Sequence, residues 1–480
     1  MRLRDLVVDL PVEEAVGNLD IEISGISCHS NEVQKGFLFI CIKGFKYDGH
    51  SFLSEAKHKG AVAALIEDRV PRERGFTLLR VKDSRKAAAA VAAKFYDYPS
   101  TKLKLIGITG TNGKTTTTYL IESVLKARGE KVGRIATIGY STGDREIKAT
   151  HTTPEAINLQ AYMAGMVEGG FSYLVMEVSS HALSLSRVVG CDFDVAVFTN
   201  LSQDHLDFHL TASSYFEAKS QLFTTLRRDK YAVINIDDPW GRKLIAAIPS
   251  RVITYGLSEK ADITASEITS GRGGLSFTAI GERIEMKLAG RHNVYNALAA
   301  IATGAALGLD IKDIKPGIAA LDQVKGRFEA IEAGQPFQVI IDYAHTPEAL
   351  RSVLLSARDL NPARIITLFG CGGDRDTGKR PLMGKVAREL SDYVIITSDN
   401  PRSEDPLEII RQIKSGFNQH NNYRVIVDRK EAIFQALQEA GPGDLVLIAG
   451  KGHEDYQIMG DQIISFDDGE VARGVLSSFL

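Results

Sequence analysis

The sequence predicts an α/β protein of three successive domains. Three observations carry that expectation. The 480 residues would make roughly three domains at about 150 residues each. Apolar strands alternate with helical segments over most of the chain. Turn-rich breaks fall at DYPSTKLK (97–104) and around LDQVKGRFEAI (321–331). The expected domains are 1–98, a smaller N-terminal α/β domain, then 99–326 and 327–480.

The first domain holds short apolar runs such as LFICIKG (38–44) and AVAALIE (61–67), followed by the helical AAAAVAAKFY (87–96). From LIGIT (105–109) the order is strand, glycine-rich turn, helix and strand, with further strands at YLVMEV (173–178), DVAVFTN (194–200) and YAVINID (231–237). Repeated βα alternation argues for a mostly parallel sheet covered by helices. Beyond the second break it resumes with FQVIIDYA, ARIITLFGCG, YVIITSDN, YRVIVD and DLVLIAGKG. Polar or glycine-rich motifs follow these strands, at the rim where open parallel sheets bind ligands.

Composition limits the function classes. Lys+Arg 57 against Asp+Glu 60 leaves a net charge of −3, so no basic excess suggests nucleic acid. Hydrophobic residues at 44% and charged residues at 24% exclude a wholly disordered chain. Four cysteines, Cys28, Cys41, Cys191 and Cys371, show no paired spacing, which suits a reducing, cytoplasmic setting. The opening MRLRDLVVDLPVEEA places acids where a signal peptide needs an apolar stretch. No run reaches the length of a membrane span.

The strongest local signal is GITGTNGKTT (107–116), directly after a strand and opening a helix. Glycines let backbone N–H groups turn around phosphate oxygens, and the helix N-terminus adds positive potential. Lys114 can bridge terminal phosphates and Thr115 can offer its hydroxyl to Mg²⁺. The usable core, Gly110-Thr111-Asn112-Gly113-Lys114-Thr115-Thr116, is shorter than GxxxxGK[ST]. By itself it names neither the nucleotide nor its fate.

Two later strand ends carry charge. MEVSSHAL supplies Glu177 and His181; FTNLSQDHLDFH supplies Asn200, Asp204, His205, Asp207 and His209. Hard oxygen donors and imidazole near a phosphate site suit Mg²⁺ or Mn²⁺. HLDFH is not HExxH, so zinc fits less well. Any one of these residues alone reads as readily as a helix cap or a core histidine. Lys219, in YFEAKSQLF, reads as a half-buried lysine.

Taken in order, GTNGKTT, HTTPE, MEVSSHAL, FTNLSQDHLDFH, YFEAKSQLF, GRHNVYNALAA, GRFE, DYAHTPEAL, GCGGDRDTGKRPLMG, DNPR and GKGHEDYQ resemble the Mur ligase family over about residues 24–456. The resemblance implies a uridine-nucleotide domain, a central ATPase domain of the P-loop type and a C-terminal Rossmann-like domain. It also implies an ADP-forming ligase of cytoplasmic peptidoglycan synthesis. In that activity ATP phosphorylates the D-glutamyl carboxylate of UDP-N-acetylmuramoyl-L-Ala-D-Glu, and the amine of a third amino acid attacks the acyl phosphate. By resemblance, residues 110–116 hold the ATP phosphates, with Lys114 catalytic, and Asn293, Arg327 and Asp342 complete the nucleotide contacts. Thr115, Glu177 and His205 would hold magnesium together with a carbamate on Lys219. Ser30, Thr152, Thr153, Ser179 and Arg187 match positions that hold the uridine substrate. HSN (29–31) stands where the family has DSR, and Leu185 where some relatives have a polar contact.

The resemblance also bears on the incoming amino acid. Members that use meso-diaminopimelate carry DNPR, here Asp399-Asn400-Pro401-Arg402. A distal carboxylate calls for a cation, and Arg402 offers a bidentate one. Arg375, Gly450 and Glu454 match the rest of that pocket. The expected partners are these small molecules, with no nucleic acid or membrane, and the expected state is a monomer. L-Lysine is the nearest alternative third residue. A folylpolyglutamate synthase would lack the N-terminal domain. A P-loop switch protein would need guanine-recognition strings such as NKxD, which are missing.

Overall fold

A computed structural model describes residues 1–71, 75–143, 145–271, 273–418 and 420–479. The chain forms two contact units: 1–107 with 130–194, and 108–129 with 195–480. The α/β class is as the sequence predicts.

In the first unit, five short strands lie in the order Val12–Val16, Thr77–Val81, Ala63–Ile66, Phe37–Ile40 and Gly25–Ser27. All neighbours are parallel except the first pair. Side chains alternate across a strand, so Leu38 and Ile40 enter one core while Phe39 and Cys41 enter another. The helix Ser84–Phe95 lays Ala87, Ala88, Val91 and Ala92 on the first of these cores. Its start is capped by Asp83, which accepts from the Lys86 amide at 3.0 Å.

The same unit holds the parallel strands Val132–Ile135 and Tyr173–Glu177. Two antiparallel strands, Gly139–Ser141 and Glu146–Lys148, extend that edge. Most strand pairing is parallel, as expected, and this edge turns antiparallel for a physical reason. The reason is connection length: residues 136–138 suffice for a hairpin return but not for a crossover.

In the second unit, Val195–Phe198, Tyr231–Asn235, Arg251–Gly256 and Ile263–Thr264 pair in parallel, in that order. A separate antiparallel sheet, Ser266–Gly271, Gly274–Ala279 and Glu282–Met286, follows. It is an element that the strand-and-helix reading did not anticipate. The helix Lys114–Ala127 packs against His292–Ala306 and Ile311–Ala320. At Gly317 any side chain is excluded, because a Cβ there would lie 2.3 Å from the Cα of Val124. Ser123 Oγ donates to the Gly317 carbonyl at 2.6 Å.

The C-terminal sheet runs Glu329–Ala330, Gln338–Asp342, Leu445–Ala449, Ile365–Phe369, Tyr393–Ile396, Tyr423–Val425. Only the first pair is antiparallel. Both faces are covered. Leu445 and Leu447 join one core, and Val446 and Ile448 the other. The loops after these strands, at 343–346, 370–376, 397–404 and 450–455, therefore emerge at one carboxyl edge. Among the described residues no helix is long and apolar enough to cross a membrane.

His292 opens the helix His292–Ala306, with Nδ1 3.0 Å from Ser356 Oγ and its ring against Phe328. Burial pushes its pKa down to about 4. The folded state thus refuses a proton that the unfolded chain takes near pH 6.5. Stability from this group is whole above about pH 6.5 and declines as pH falls toward 4. In urea unfolding, His292→Gln should lose on the order of 2 kcal/mol less than the parent between about pH 7 and about pH 5. Equal losses in both proteins would contradict this account.

Candidate functional site

The strand Lys104–Thr109 is buried from Leu105 onward and delivers Gly110 to the loop that precedes the helix Lys114–Ala127. Glycine is obligatory at two points. A Cβ on Gly110 would lie 1.9 Å from Thr199 Oγ1, and one on Gly113 (φ +85°) 2.4 Å from Asn296 Oδ1. No side chain caps the helix, which is the form of an anion-binding N-terminus. Asn200 braces the loop from outside: its Oδ1 accepts from Asn112 N at 2.9 Å, its carbonyl accepts from Thr111 N at 2.8 Å, and its Nδ2 donates to Asn112 O at 3.1 Å.

Lys114 Nζ donates to the carbonyls of Gly110 (3.0 Å) and Thr111 (2.9 Å). Lys219 Nζ, from the helix Ala212–Thr224, donates to the same Gly110 carbonyl at 2.8 Å. Lys219 is 1% exposed and lies over the Tyr215 ring. The reading of a half-buried lysine is therefore corrected: the helix packs this face fully inward. Burial, then the neighbouring Lys114 charge, push the Lys219 amine well below the ordinary lysine range.

Arg327 Nη2 donates to Thr115 Oγ1 at 3.0 Å, and its guanidinium stacks over Tyr343. Asp342 is buried and accepts from the amides of Phe328 and Ala344, each at 2.7 Å. Burial raises its carboxyl, with Arg327 opposing. Asn293 is buried, donating to Ala289 O and accepting from Asn296.

His205 adopts φ +54° beside Asp204. The Asp204 carboxylate lies 3.4 Å from His205 Nε2 and 3.7 Å from His345 Nε2. Burial works against the ionised form of Asp204, but His345, His205 and Lys379 hold its pKa well below the carboxylate range. His209, which the sequence grouped with possible ligands, is buried against Tyr215 and Phe208.

In the first unit, Glu177 is fully buried and accepts from Thr137 N (2.8 Å) and Thr137 Oγ1 (3.0 Å). Thr137 Oγ1 also hydrogen-bonds with Thr152 Oγ1 at 3.1 Å. Thr153 Oγ1 donates to Glu177 O and accepts from Ser179 N, while Arg187 Nη1 donates to Thr153 O at 2.9 Å. Thr152, Thr153, Glu177, Ser179 and Arg187 are thus one network. Ser30 belongs to another, donating to Glu55 at 2.9 Å. A small cleft in this unit is lined by Cys28, Arg85, Glu155 and Leu185.

At the carboxyl edge of the C-terminal sheet, Asp399, Asn400, Pro401 and Arg402 follow Tyr393–Ile396. Arg402 takes φ +52°. It is held there by Arg402 N to Ile458 O (3.1 Å) and Gly460 N to Arg402 O (2.8 Å). Its Nη1 donates to Gly373 O at 2.7 Å. Arg375 and Arg402 both approach Gly372. Asn400 donates to Glu454 at 2.8 Å, and the fully buried Lys451 donates to both, each at 3.2 Å. Burial, then Asp399, raise the Glu454 carboxyl. A Cβ on Gly450 (φ +115°) would lie 2.6 Å from Asp399 Oδ2.

Lys451 was not singled out by sequence, although it stands inside GKGHE. Nor were Arg380 or Arg429, the latter paired to Asp468 with both side chains fully buried. The acids that the two arginines pair with lie 24 and 39 positions away, so no local signal marks them.

Three family models match consecutive parts of the chain: Mur ligase family, catalytic domain (22–96); Mur ligase middle domain (108–304); and Mur ligase, glutamate ligase domain (326–452). A UDP-N-acetylmuramoyl-L-alanyl-D-glutamate–2,6-diaminopimelate ligase of Syntrophomonas wolfei is 47% identical, over 99% of both chains. The chain belongs to the Mur ligase family. A ligase of the same description from Caldanaerobacter subterraneus is 46% identical to this Mur ligase, again over 99% of each. A solved structure of such a ligase superposes with a TM-score of 0.70 at 31% identity, covering 100% of this Mur ligase and 99% of that chain. The MurF ligase of Thermotoga maritima in complex with ADP shares the fold, with a TM-score of 0.68 at 20% identity, over 97% and 100%.

Proposed function

We propose that this Mur ligase joins meso-diaminopimelate to the D-glutamyl carboxylate of UDP-N-acetylmuramoyl-L-Ala-D-Glu, consuming ATP, in cytoplasmic peptidoglycan precursor synthesis. The observation that carries the choice of amino acid is the charge pattern at one sheet edge. Arg402 acts on the same Tyr456 surroundings as the carboxylates Asp399 and Glu454, and Arg375 meets Arg402 at Gly372. A ligand with two ammonium and two carboxylate groups complements that set. Lysine leaves one arginine without its partner.

Residues 1–98 take the uridine substrate, 99–326 the nucleotide and 327–480 the amino acid, within a monomer. Thr152, Thr153, Ser179 and Arg187 serve the muramoyl dipeptide in this reading, with Ser30 toward the nucleotide. Gly110–Thr116 cradle the phosphates of ATP, Asn293 and Asp342 position the nucleoside, and Lys114 and Arg327 neutralise the transferring group. The glutamyl carboxylate oxygen bonds to the γ-phosphorus as the bond to ADP breaks. The amine of diaminopimelate then bonds to the acyl carbon, phosphate leaves and the nitrogen releases a proton. Such chemistry is chiefly positioning and charge neutralisation.

Thr115 offers a hydroxyl and His205 an imidazole, and Glu177, in the first unit, offers a carboxylate; each by itself is a donor type that magnesium accepts. An ammonium at Lys219 does not, and two ammonium groups on the one Gly110 carbonyl favour a changed state for one of them. A neutral Lys219 amine adds CO₂ and releases a proton, giving a carbamate that completes the set. Magnesium, when bound, supplies charge stabilisation to the phosphoryl oxygens.

The test is phosphate release with ATP, Mg²⁺ and the UDP-dipeptide, comparing meso-diaminopimelate with L-lysine. Release with diaminopimelate alone is expected. Release with lysine instead would keep the ligase and discard the charge argument. Release with neither would overturn the proposal.

A further inference from the structure

The two loops that carry the proposed amino-acid contacts, 371–376 and 399–404, follow the neighbouring strands Ile365–Phe369 and Tyr393–Ile396. Between them, in the first turn of the helix Lys379–Leu390, sits Arg380, with none of its side chain exposed. Its Nη2 donates to Gly372 O at 3.0 Å and to Glu404 Oε1 at 2.8 Å. Its Nη1 donates to Glu404 Oε2 at 2.8 Å and to Gln412 Oε1 at 2.9 Å. Glu404 Oε1 in turn accepts from the Asp374 amide at 2.6 Å. One guanidinium thus grips the first loop by a carbonyl and the second by a bidentate carboxylate. That carboxylate holds the first loop again through an amide.

The loops meet at several further points. Gly373 N donates to Asn400 O at 2.9 Å, and Ser403 Oγ donates to Asp374 Oδ1 at 2.6 Å. A Cβ on Gly373 would lie 1.9 Å from Pro401 O. Asp374 (φ +53°) and Arg402 (φ +52°) both hold left-handed backbone without being glycine, a conformation that persists only where the surroundings over-determine it. An ion pair with one partner fully buried is a poor device for stability alone, since well-packed apolar residues do as well. This pair is aimed at loop backbone, where apolar side chains could not substitute.

We propose that Arg380 and Glu404 are positioning residues. They clamp the two loops at the separation that sets Arg375 and Arg402 for the incoming diamino diacid, and so tune the choice of amino acid. The proposal rests on the diaminopimelate reading above. Neither residue touches substrate; each acts through loop geometry, so its removal loosens amino-acid binding and leaves the nucleotide site alone.

The experiment measures steady-state kinetics of Arg380→Lys and Glu404→Gln with all three substrates varied, alongside hydrogen exchange on the free enzyme. The KM for diaminopimelate should rise about tenfold to a hundredfold, as sub-ångström misplacement of binding groups costs. The values of kcat and of KM for ATP and the UDP-dipeptide should stay within about threefold. The preference over lysine should narrow. In Arg380→Lys the Asp374 and Gly373 amides should exchange faster than in the parent, while amides of the strand Leu445–Ala449 do not. An unchanged KM for diaminopimelate, or equal losses for all substrates with a lowered melting temperature, would overturn the clamp. If the parent enzyme ignores diaminopimelate, the functional reading fails. The exchange measurement then decides the clamp alone, and unaltered loop protection refutes it.

Discussion

Replacing Lys219 with alanine is expected to lower phosphate release by about a hundred- to a thousandfold while leaving the fold intact, the scale of losing one preorganised stabiliser of developing charge. The argument starts from crowding. Lys114 and Lys219 direct their amines at one carbonyl oxygen, that of Gly110, and Lys219 is only 1% exposed. Two like charges so placed repel by on the order of 3 kcal/mol at the effective dielectric of such sites. A neutral amine removes the repulsion, and a carbamate replaces it with attraction while adding oxygen donors. Lys219→Arg keeps a cation and cannot carry the carbamate in its place, so it should be as inactive as Lys219→Ala. Enzyme equilibrated with ¹³C-bicarbonate should show a carbamate carbon by NMR that both variants lack. Full activity in Lys219→Ala, or no labelled carbon in the active parent, would refute the carbamate.

Arg402→Ala carries the second large effect. Removing one partner of a desolvated charge pair costs about 2–5 kcal/mol, so kcat/KM for diaminopimelate should fall by about thirtyfold to a few thousandfold. L-Lysine has no distal carboxylate and gains nothing from the guanidinium, so its kcat/KM should barely change. The two amino acids should therefore converge. ATP binding, followed by nucleotide titration, should match the parent, because Arg402 lies with the hairpin Tyr456–Met459 and Gln462–Ser465 rather than with Lys114. Equal losses with both amino acids would show that Arg402 supports the loop without reading the ligand.

The phosphate loop was legible because its parts are local. Strand, glycines, lysine and threonines all fall within residues 104–116, and each has its own physical reason to be there. The C-terminal strands were legible for a related reason: buried on both faces, they read as unbroken apolar runs. The strands Ser266–Gly271 and Glu282–Met286 were not, because their outward faces are polar and their alternation is short. Lys219 shows the limit for sites. One lysine on a helix has no spacing to mark it, and only the likeness to a family singled it out before the structure showed its burial. Arg380 and Arg429 pair with acids 24 and 39 positions away. In composition alone they are two more surface charges.

The close seat of Gly317 on Val124 has a consequence for how the protein is made. Ser123 and Gly317 are 194 positions apart, so the helix leading away from the phosphate loop leaves the ribosome long before its packing partner. At about 5–20 residues per second the interval is roughly 10–40 s of translation. Through that time the apolar flank of Lys114–Ala127 has no Ile311–Ala320 to cover it. A nascent chain stalled short of residue 311 displays the whole phosphate-loop signature without the helix that supports it. Nucleotide-binding competence is therefore expected late in synthesis, and chains stalled before residue 311 should bind ATP more weakly than the finished polypeptide.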